Sequence, residues 1–240
     1  MLLFGAVGRA HVKLKKGELS KYDRLVLTNA IYFKGLWARP FRKEHTTDDK
    51  FRVSASQTAS VRMMRAQLAT ALFEGNGMKL AVLPYQGKTW SMIVIVPDEP
   101  DGLAAVEREL TAKRVREWLT TGYQGDVNLQ LPRLKARERY GALEDFLIQM
   151  GMQRPFSPGA DFSGITDKHF MLKKVIHEAV VEVDEEGTEA AAATAIIGGV
   201  PVSPPVQRRS CTIRADRPFL FLIIDQSSQS ILFLARVSRV

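Results

Sequence analysis

A single cysteine, Cys211, stands in a chain of 240 residues, so no disulfide can form within it. That neither requires nor excludes secretion. Histidine is nearly as scarce. His11, His45, His169 and His177 are the four present, and they have no metal-ligand spacing among themselves, so no metal is expected. No run reaches the ~20 apolar residues of a membrane-spanning helix, and no membrane partner is expected. Residues 1–8 are apolar but short and lack a basic leader, so they do not read as a signal peptide. There is no G-x-S-x-G elbow and no glycine-rich phosphate loop, and no cofactor is expected. Cys211 has no partner thiol and follows a proline-rich stretch, which suits a packed thiol better than a nucleophile. Asp98 and Glu99, like Glu185 and Glu186, are adjacent, and adjacent strand residues point to opposite faces. These absences disfavour an enzyme.

Positive charge is plentiful. Lysine and arginine number 34 against 26 acidic residues, a formal net charge of +8. It is scattered, and a solvated surface explains it better than a nucleic-acid partner. The densest sets lie at 11–16, 113–116 and 207–209.

Strand patterns dominate. Residues 25–33 (LVLTNAIYF) form an apolar β-capable run that reads as buried on both faces. Runs at 69–74 and 78–85 flank Gly75-Asn76-Gly77, a hairpin signature. A further strand is expected over 90–96, making an antiparallel meander. Alternation at Val127, Leu129 and Leu131 predicts a strand over 126–137. Residues 170–186, 217–225 and 231–237 also read as strands. Helices are expected over 102–110, 111–120 and 141–152, the last with Leu143, Phe146, Leu147 and Met150 on one side. The class is α+β, with mixed and antiparallel sheets and peripheral helices. No linker divides the chain, so one domain over 1–240 is expected.

Two polar residues interrupt apolar strands. Asn29 sits in LTNAI and His177 in KVIHEAVV. Buried polar groups need partners. Either the two are satisfied separately, or they hydrogen-bond across neighbouring strands and hold a sheet closed. The stretch 182–206, EVDEEGTEAAAATAIIGGVPVSPPV, is too apolar for a linker and too proline-rich at its end for a central strand. As a strand, 188–194 would put Thr188, Ala190, Ala192 and Thr194 on one small face. As a helix it would be short and marginal.

Several motifs together resemble the serpins: NAIYFKGLW (29–37), FSPGADFSGI (156–165), VIHEAVVEVDEEGTEAAAATA (175–195), RADRPFLFLI (214–223) and SILFLARV (230–237). The resemblance covers about residues 17–240 and implies a partial serpin fold with an exposed reactive-centre loop at about 188–206. It implies a hinge formed by Glu185, Glu186, Gly187, Thr188, Glu189, Ala190, Ala191, Ala192, Ala193 and Thr194, with no bulky or charged residue from Ala190 to Thr194. Asn29 and His177 match the family's polar pair beneath the sheet opening, and Trp37 the tryptophan where insertion begins. Arg133 and Glu185 match a salt bridge of some members. The family spacing brings the scissile bond to the region of Val200, Pro201, Val202 and Ser203, implying an elastase- or subtilisin-like target. Arg208 or Arg209 would imply a trypsin-like one.

The resemblance implies a serine protease inhibitor that traps its target by loop insertion after acyl-enzyme formation. The alternative is a non-inhibitory or inactive binding protein, holding a polyanion such as heparin through Lys113, Arg114 and Arg116. By family the chain is expected to be extracellular, with a cytoplasmic location as the alternative. The family's N-terminal helical region and first two strands of the main sheet have no counterpart here. The chain is therefore expected to be a truncated member, with Asn29 and His177 uncovered and a tendency to self-associate.

Overall fold

The computed structural model describes residues 16–18, 25–165, 167–186 and 208–240. In chain order the strands are β1 (Val26–Phe33), β2 (Thr47–Arg52), β3 (Thr58–Gly75), β4 (Met78–Pro84), β5 (Trp90–Pro97), β6 (Tyr123–Pro132), β7 (Leu134–Tyr140), β8 (Lys174–Val183), β9 (Ser210–Arg214), β10 (Phe219–Asp225) and β11 (Ile231–Val237). The helices are α1 (Leu103–Glu109), α2 (Ala112–Thr121) and α3 (Glu144–Gln149). The described residues fall into two compact units. The first comprises 34–134 and the part of the chain from 182 onward, and the second comprises residues up to 33 together with 135–181.

The first unit holds an eight-stranded sheet in the order β11-β10-β5-β4-β3-β6-β9, with β2 on β3. Its centre is dictated by sequence. β5 (WSMIVIVP) and β10 (FLFLIID) are near-continuous apolar runs, and both are buried almost throughout, as strands covered on both faces must be. α1 and α2 cover one face, where Val106, Val115 and Trp118 meet Leu80, Ile93 and Leu222. Burying each such side chain contributes about 1.5–3 kcal/mol. Thr111 starts α2 by accepting a hydrogen bond from the Arg114 N–H at 3.1 Å, an N-cap that satisfies one of the helix's free donors. The β3–β4 hairpin turns at Asn76 (φ 55) and Gly77 (φ 69). β6 alternates as expected, with Val127, Leu129 and Leu131 buried.

The second unit holds a three-stranded sheet in the order β1-β8-β7. β1 and β8 run parallel in unbroken register, from Val26 opposite Lys174 to Phe33 opposite Val181. No strand separates them. The buried acid Glu178 is met by Arg137, whose Nε donates to it at 2.7 Å. Uncompensated, that buried charge would be costly.

Several expectations are corrected. Residues 126–137 form two strands rather than one. Pro132, which has no N–H to donate, is the last residue of β6 paired with β3, and the Arg133 N–H makes the final bond to that strand, to the Arg62 carbonyl at 2.8 Å. β8 begins at Lys174 rather than 170, because the Leu172 N–H goes to the Pro155 carbonyl at 2.8 Å. The run 25–33 is a strand but is not buried on both faces. Leu27 is 53% exposed, and among the described residues no strand pairs the edge of β1 away from β8. α3 is shorter than 141–152, closed by Gly151 at φ 99, and its Phe146 and Met150 face solvent. Two strands, β2 and β9, and residues 58–68 of β3 lacked a sequence reading.

Candidate functional site: a pinned strand end before the hinge

Burial alternates past the end of β8. Val181, Val183 and Glu185 are buried while Glu182, Asp184 and Glu186 are not. Period-two geometry therefore carries the Glu185 carboxylate inward, where it must find donors. It does. The Arg133 Nε–H is shared between both carboxylate oxygens at 2.7 Å each, and the Thr46 hydroxyl donates to Oε1 at 2.5 Å. Burial pushes the Glu185 pKa up, but the bonds from Arg133 and Thr46 outweigh it and hold the group below the usual carboxylate range. Arg62 supports both donors, donating to the Thr46 carbonyl at 3.0 Å and accepting from the Arg133 N–H.

The backbone is held too. The Trp37 N–H donates to the Glu186 carbonyl at 3.1 Å and the Phe41 N–H to the Glu185 carbonyl at 2.8 Å. The Trp37 indole N–H donates to the Asp184 carbonyl at 2.8 Å. Trp37 is itself fixed, stacked on Tyr85 with ring centroids 4.5 Å apart and edge-on to Phe41 at 6.1 Å. All three rings are buried. Glu186 turns outward to Lys43. That pair is exposed and adds little, though Glu186 raises the Lys43 pKa. The start of the proposed hinge, Glu185 and Glu186, and Asp184 before it are thus held through three backbone carbonyls and one buried carboxylate. Adjacent Glu185 and Glu186 have separate partners on opposite sides.

The chain is held again beyond the proposed loop. β9 pairs parallel with β6, from Asp126 opposite Ser210 to Gln130 opposite Arg214. The Arg209 guanidinium lies 4.5 Å from the centre of the Tyr123 ring and 3.3 Å from Glu74, to which the Tyr123 hydroxyl donates. Burial and the Glu74 carboxylate both push the Tyr123 phenol up. Gly125 permits this approach, since a Cβ there would lie 2.6 Å from the Arg209 carbonyl oxygen. Cys211 is buried in the same strand, and burial pushes its thiol up.

Of the residues singled out by sequence, Trp37, Arg133, Glu185 and Glu186 come together. Asn29 and His177 occupy opposed register positions on β1 and β8. Asn29 is exposed and His177 half-buried, which fits the expectation of an uncovered pair rather than that of enclosed core residues. The His177 ring lies 6.5 Å from Tyr140, at 21° to it. Gly187, Thr188, Glu189, Ala190, Ala191, Ala192, Ala193, Thr194, Val200, Pro201, Val202 and Ser203 lie outside the described residues. On α2, Lys113 and Arg114 approach Glu117 at 3.9 and 3.1 Å, and Arg114 also approaches Glu109 at 3.5 Å. Two of the three cations proposed for a polyanion therefore already face carboxylates. Thr46, Phe41, Lys43 and Tyr85 carried no sequence signal. Thr46 and Glu185 are 139 residues apart.

The profile of the family described as "Serpin (serine protease inhibitor)" matches residues 8–240. A "Serine protease inhibitor" of Cyanea capillata is 42% identical over 228 residues, covering 92% of this chain and 59% of that protein. "Leukocyte elastase inhibitor" of Bos taurus is 38% identical over 240 residues, covering 96% of this chain and 62% of that protein. The crystal structure of uncleaved ovalbumin superposes with a TM-score of 0.81 at 30% identity, over 95% of this chain and 57% of that one. The chain thus spans about three-fifths of the length of the curated relatives it matches. It belongs to the serpin family, a family of serine protease inhibitors rather than of enzymes.

Proposed function

We propose that this chain acts as a serine protease inhibitor of the suicide-substrate type. The observation that carries the proposal is the direct parallel pairing of β1 with β8. Insertion would part these two strands and place one more between them, and β8 continues into the pinned residues 184–186. The target protease's serine attacks a backbone carbonyl within 200–203, forming an ester to the loop's N-terminal part and releasing the C-terminal part as an amine. The stretch 188–194, small from Ala190 onward, then enters between β1 and β8 as a new strand. The acylated protease is carried along and distorted before water can hydrolyse the ester. β9, held on β6 by Arg209, keeps the C-terminal part in place.

The apolar residues Val200 and Val202 support an elastase- or subtilisin-like target, and one relative bears the name of an elastase inhibitor. The test is to mix the chain with elastase-, subtilisin- and trypsin-type proteases. A covalent complex surviving denaturing electrophoresis is expected with at least one of the first two. Cleavage within 200–203 with no such complex would make the chain a substrate and overturn the proposal.

A further inference from the structure

A cavity of about 350 Å³ lies beside the pinned strand end, within the same unit. Trp37, Phe41, Leu68 and Leu83 help to wall it. The Thr70 hydroxyl, also in the wall, is already donated to the Val82 carbonyl, so the interior offers no free hydroxyl from that residue. Two cations complete the lining, Arg39 and Lys88. Both are exposed, and among the described residues neither is paired with a carboxylate. An apolar chamber with two exposed, unpaired cations in its lining suits one ligand chemistry. That ligand is a small amphiphile with a hydrocarbon body and an anionic head.

We propose that this cavity binds a medium-chain carboxylate, a fatty-acid-like anion, with its chain against Trp37 and Leu68 and its head between Arg39 and Lys88. Size limits the ligand. At ~30 Å³ per carbon-sized atom, the share a water molecule takes in the liquid, 350 Å³ holds about twelve such atoms. That is the size of decanoate. The head group gains charge-assisted hydrogen bonds, stronger than neutral ones, while the hydrocarbon leaves water. Trp37 connects the cavity to the rest of the site. Its indole and backbone hold the Asp184 and Glu186 carbonyls, so an occupied cavity braces the residue that pins the strand end. That consequence rests on the inhibitory reading; the binding itself does not.

The test is a calorimetric titration of the whole chain with decanoate below its micellar concentration, beside decylammonium, which has the same chain and the opposite charge. Saturable binding of one decanoate per chain is expected, at least tenfold tighter than decylammonium. Replacing both cations (Arg39→Gln with Lys88→Gln) should weaken decanoate on the order of tenfold without weakening decylammonium, so that the preference between the two disappears. Filling the chamber with Leu68→Trp should abolish binding. If the tryptophan variant does not fold, Ala69→Leu adds three carbons to the wall, leaves room for about nine atoms by the same arithmetic, and should weaken decanoate while sparing hexanoate. No saturable decanoate binding, equal affinity for the two head groups, or full binding by Ala69→Leu would each overturn the proposal. No protease enters the experiment, so its outcome is independent of whether the chain inhibits one.

Discussion

Replacing either partner of the Arg133–Glu185 pair should expose an asymmetry. In Arg133→Ala, the Glu185 carboxylate is only 1% exposed and cannot turn to water, because strand alternation fixes its direction. It keeps the Thr46 hydroxyl and loses the shared Arg133 N–H. Breaking a buried pair from one side costs about 3–5 kcal/mol. The Arg133 side chain is 42% exposed, so solvent screening brings the expected loss down to about 2–3 kcal/mol. Glu185→Ala is the milder change, since the freed guanidinium can reach water. Its main cost is the buried Thr46 hydroxyl left without its acceptor, about 1–2 kcal/mol.

The pH dependence separates the two variants further. In the parent chain the Glu185 pKa is lowered. Its contribution is therefore complete above the ordinary carboxylate range and is lost as pH falls through the lower folded value. Without Arg133 burial prevails, the pKa rises, and protonation relieves the penalty in mild acid. The Arg133→Ala deficit should shrink between about pH 7 and about pH 5, whereas that of Glu185→Ala should hold until lower pH. Urea-unfolding midpoints at both pH values measure this. Equal and pH-independent losses, or a larger loss for Glu185→Ala, would refute the reasoning.

Other consequences are equally open to measurement. Thr188→Arg sets a bulky cation on the small face that Thr188, Ala190, Ala192 and Thr194 would share as a strand, so covalent complex formation should disappear while cleavage of the loop continues, read on one denaturing gel. Gly125→Ala presses a methyl against the Arg209 carbonyl. It should cost about 1–3 kcal/mol and make the buried Cys211 thiol reactive to a thiol reagent as β9 lifts from β6; an inert thiol would contradict the packing. Hydrogen bonds from Ser227 and Ser228 hold the Asp225 carboxyl at about 2. Its stabilising effect on the β10–β11 turn should be complete above the ordinary carboxylate pKa and vanish as pH falls through about 2. An NMR titration midpoint at an ordinary carboxylate value would rule this out.

The sequence made the sheet centre legible because β5 and β10 are apolar enough to admit one placement, and Asn76-Gly77 announced its turn. β3 was harder. Arg62, Arg65 and Gln67 break its apolar pattern, yet the strand continues because β2, β6 and β4 pair with it in turn. Short β9 is a strand only because β6 lies beside it, a fact of tertiary structure. Apolar content misled at Leu27, Phe146 and Met150, all exposed, since composition says what could be buried but not whether anything covers it. Family motifs pointed to Trp37, Arg133 and Glu185. Thr46 and the Trp37 bond to Asp184 had no local trace, because partners separated by 139 and 147 residues leave no periodicity.

The parallel register of β1 and β8 also bears on how the molecule is made. Asn29 pairs with His177 only after most of the chain has been synthesised, whereas the β3–β4 hairpin closes within a few residues. Loop-closure entropy must be overcome before distant pairings are rewarded, so non-local sheets form slowly. Pulse-labelled hydrogen exchange during refolding should find the β4 amides protected early and the β8 amides late. On that timetable the gap between β1 and β8 is the last place to close, and for an interval any strand-forming segment can compete for it, including the same segment of a second copy.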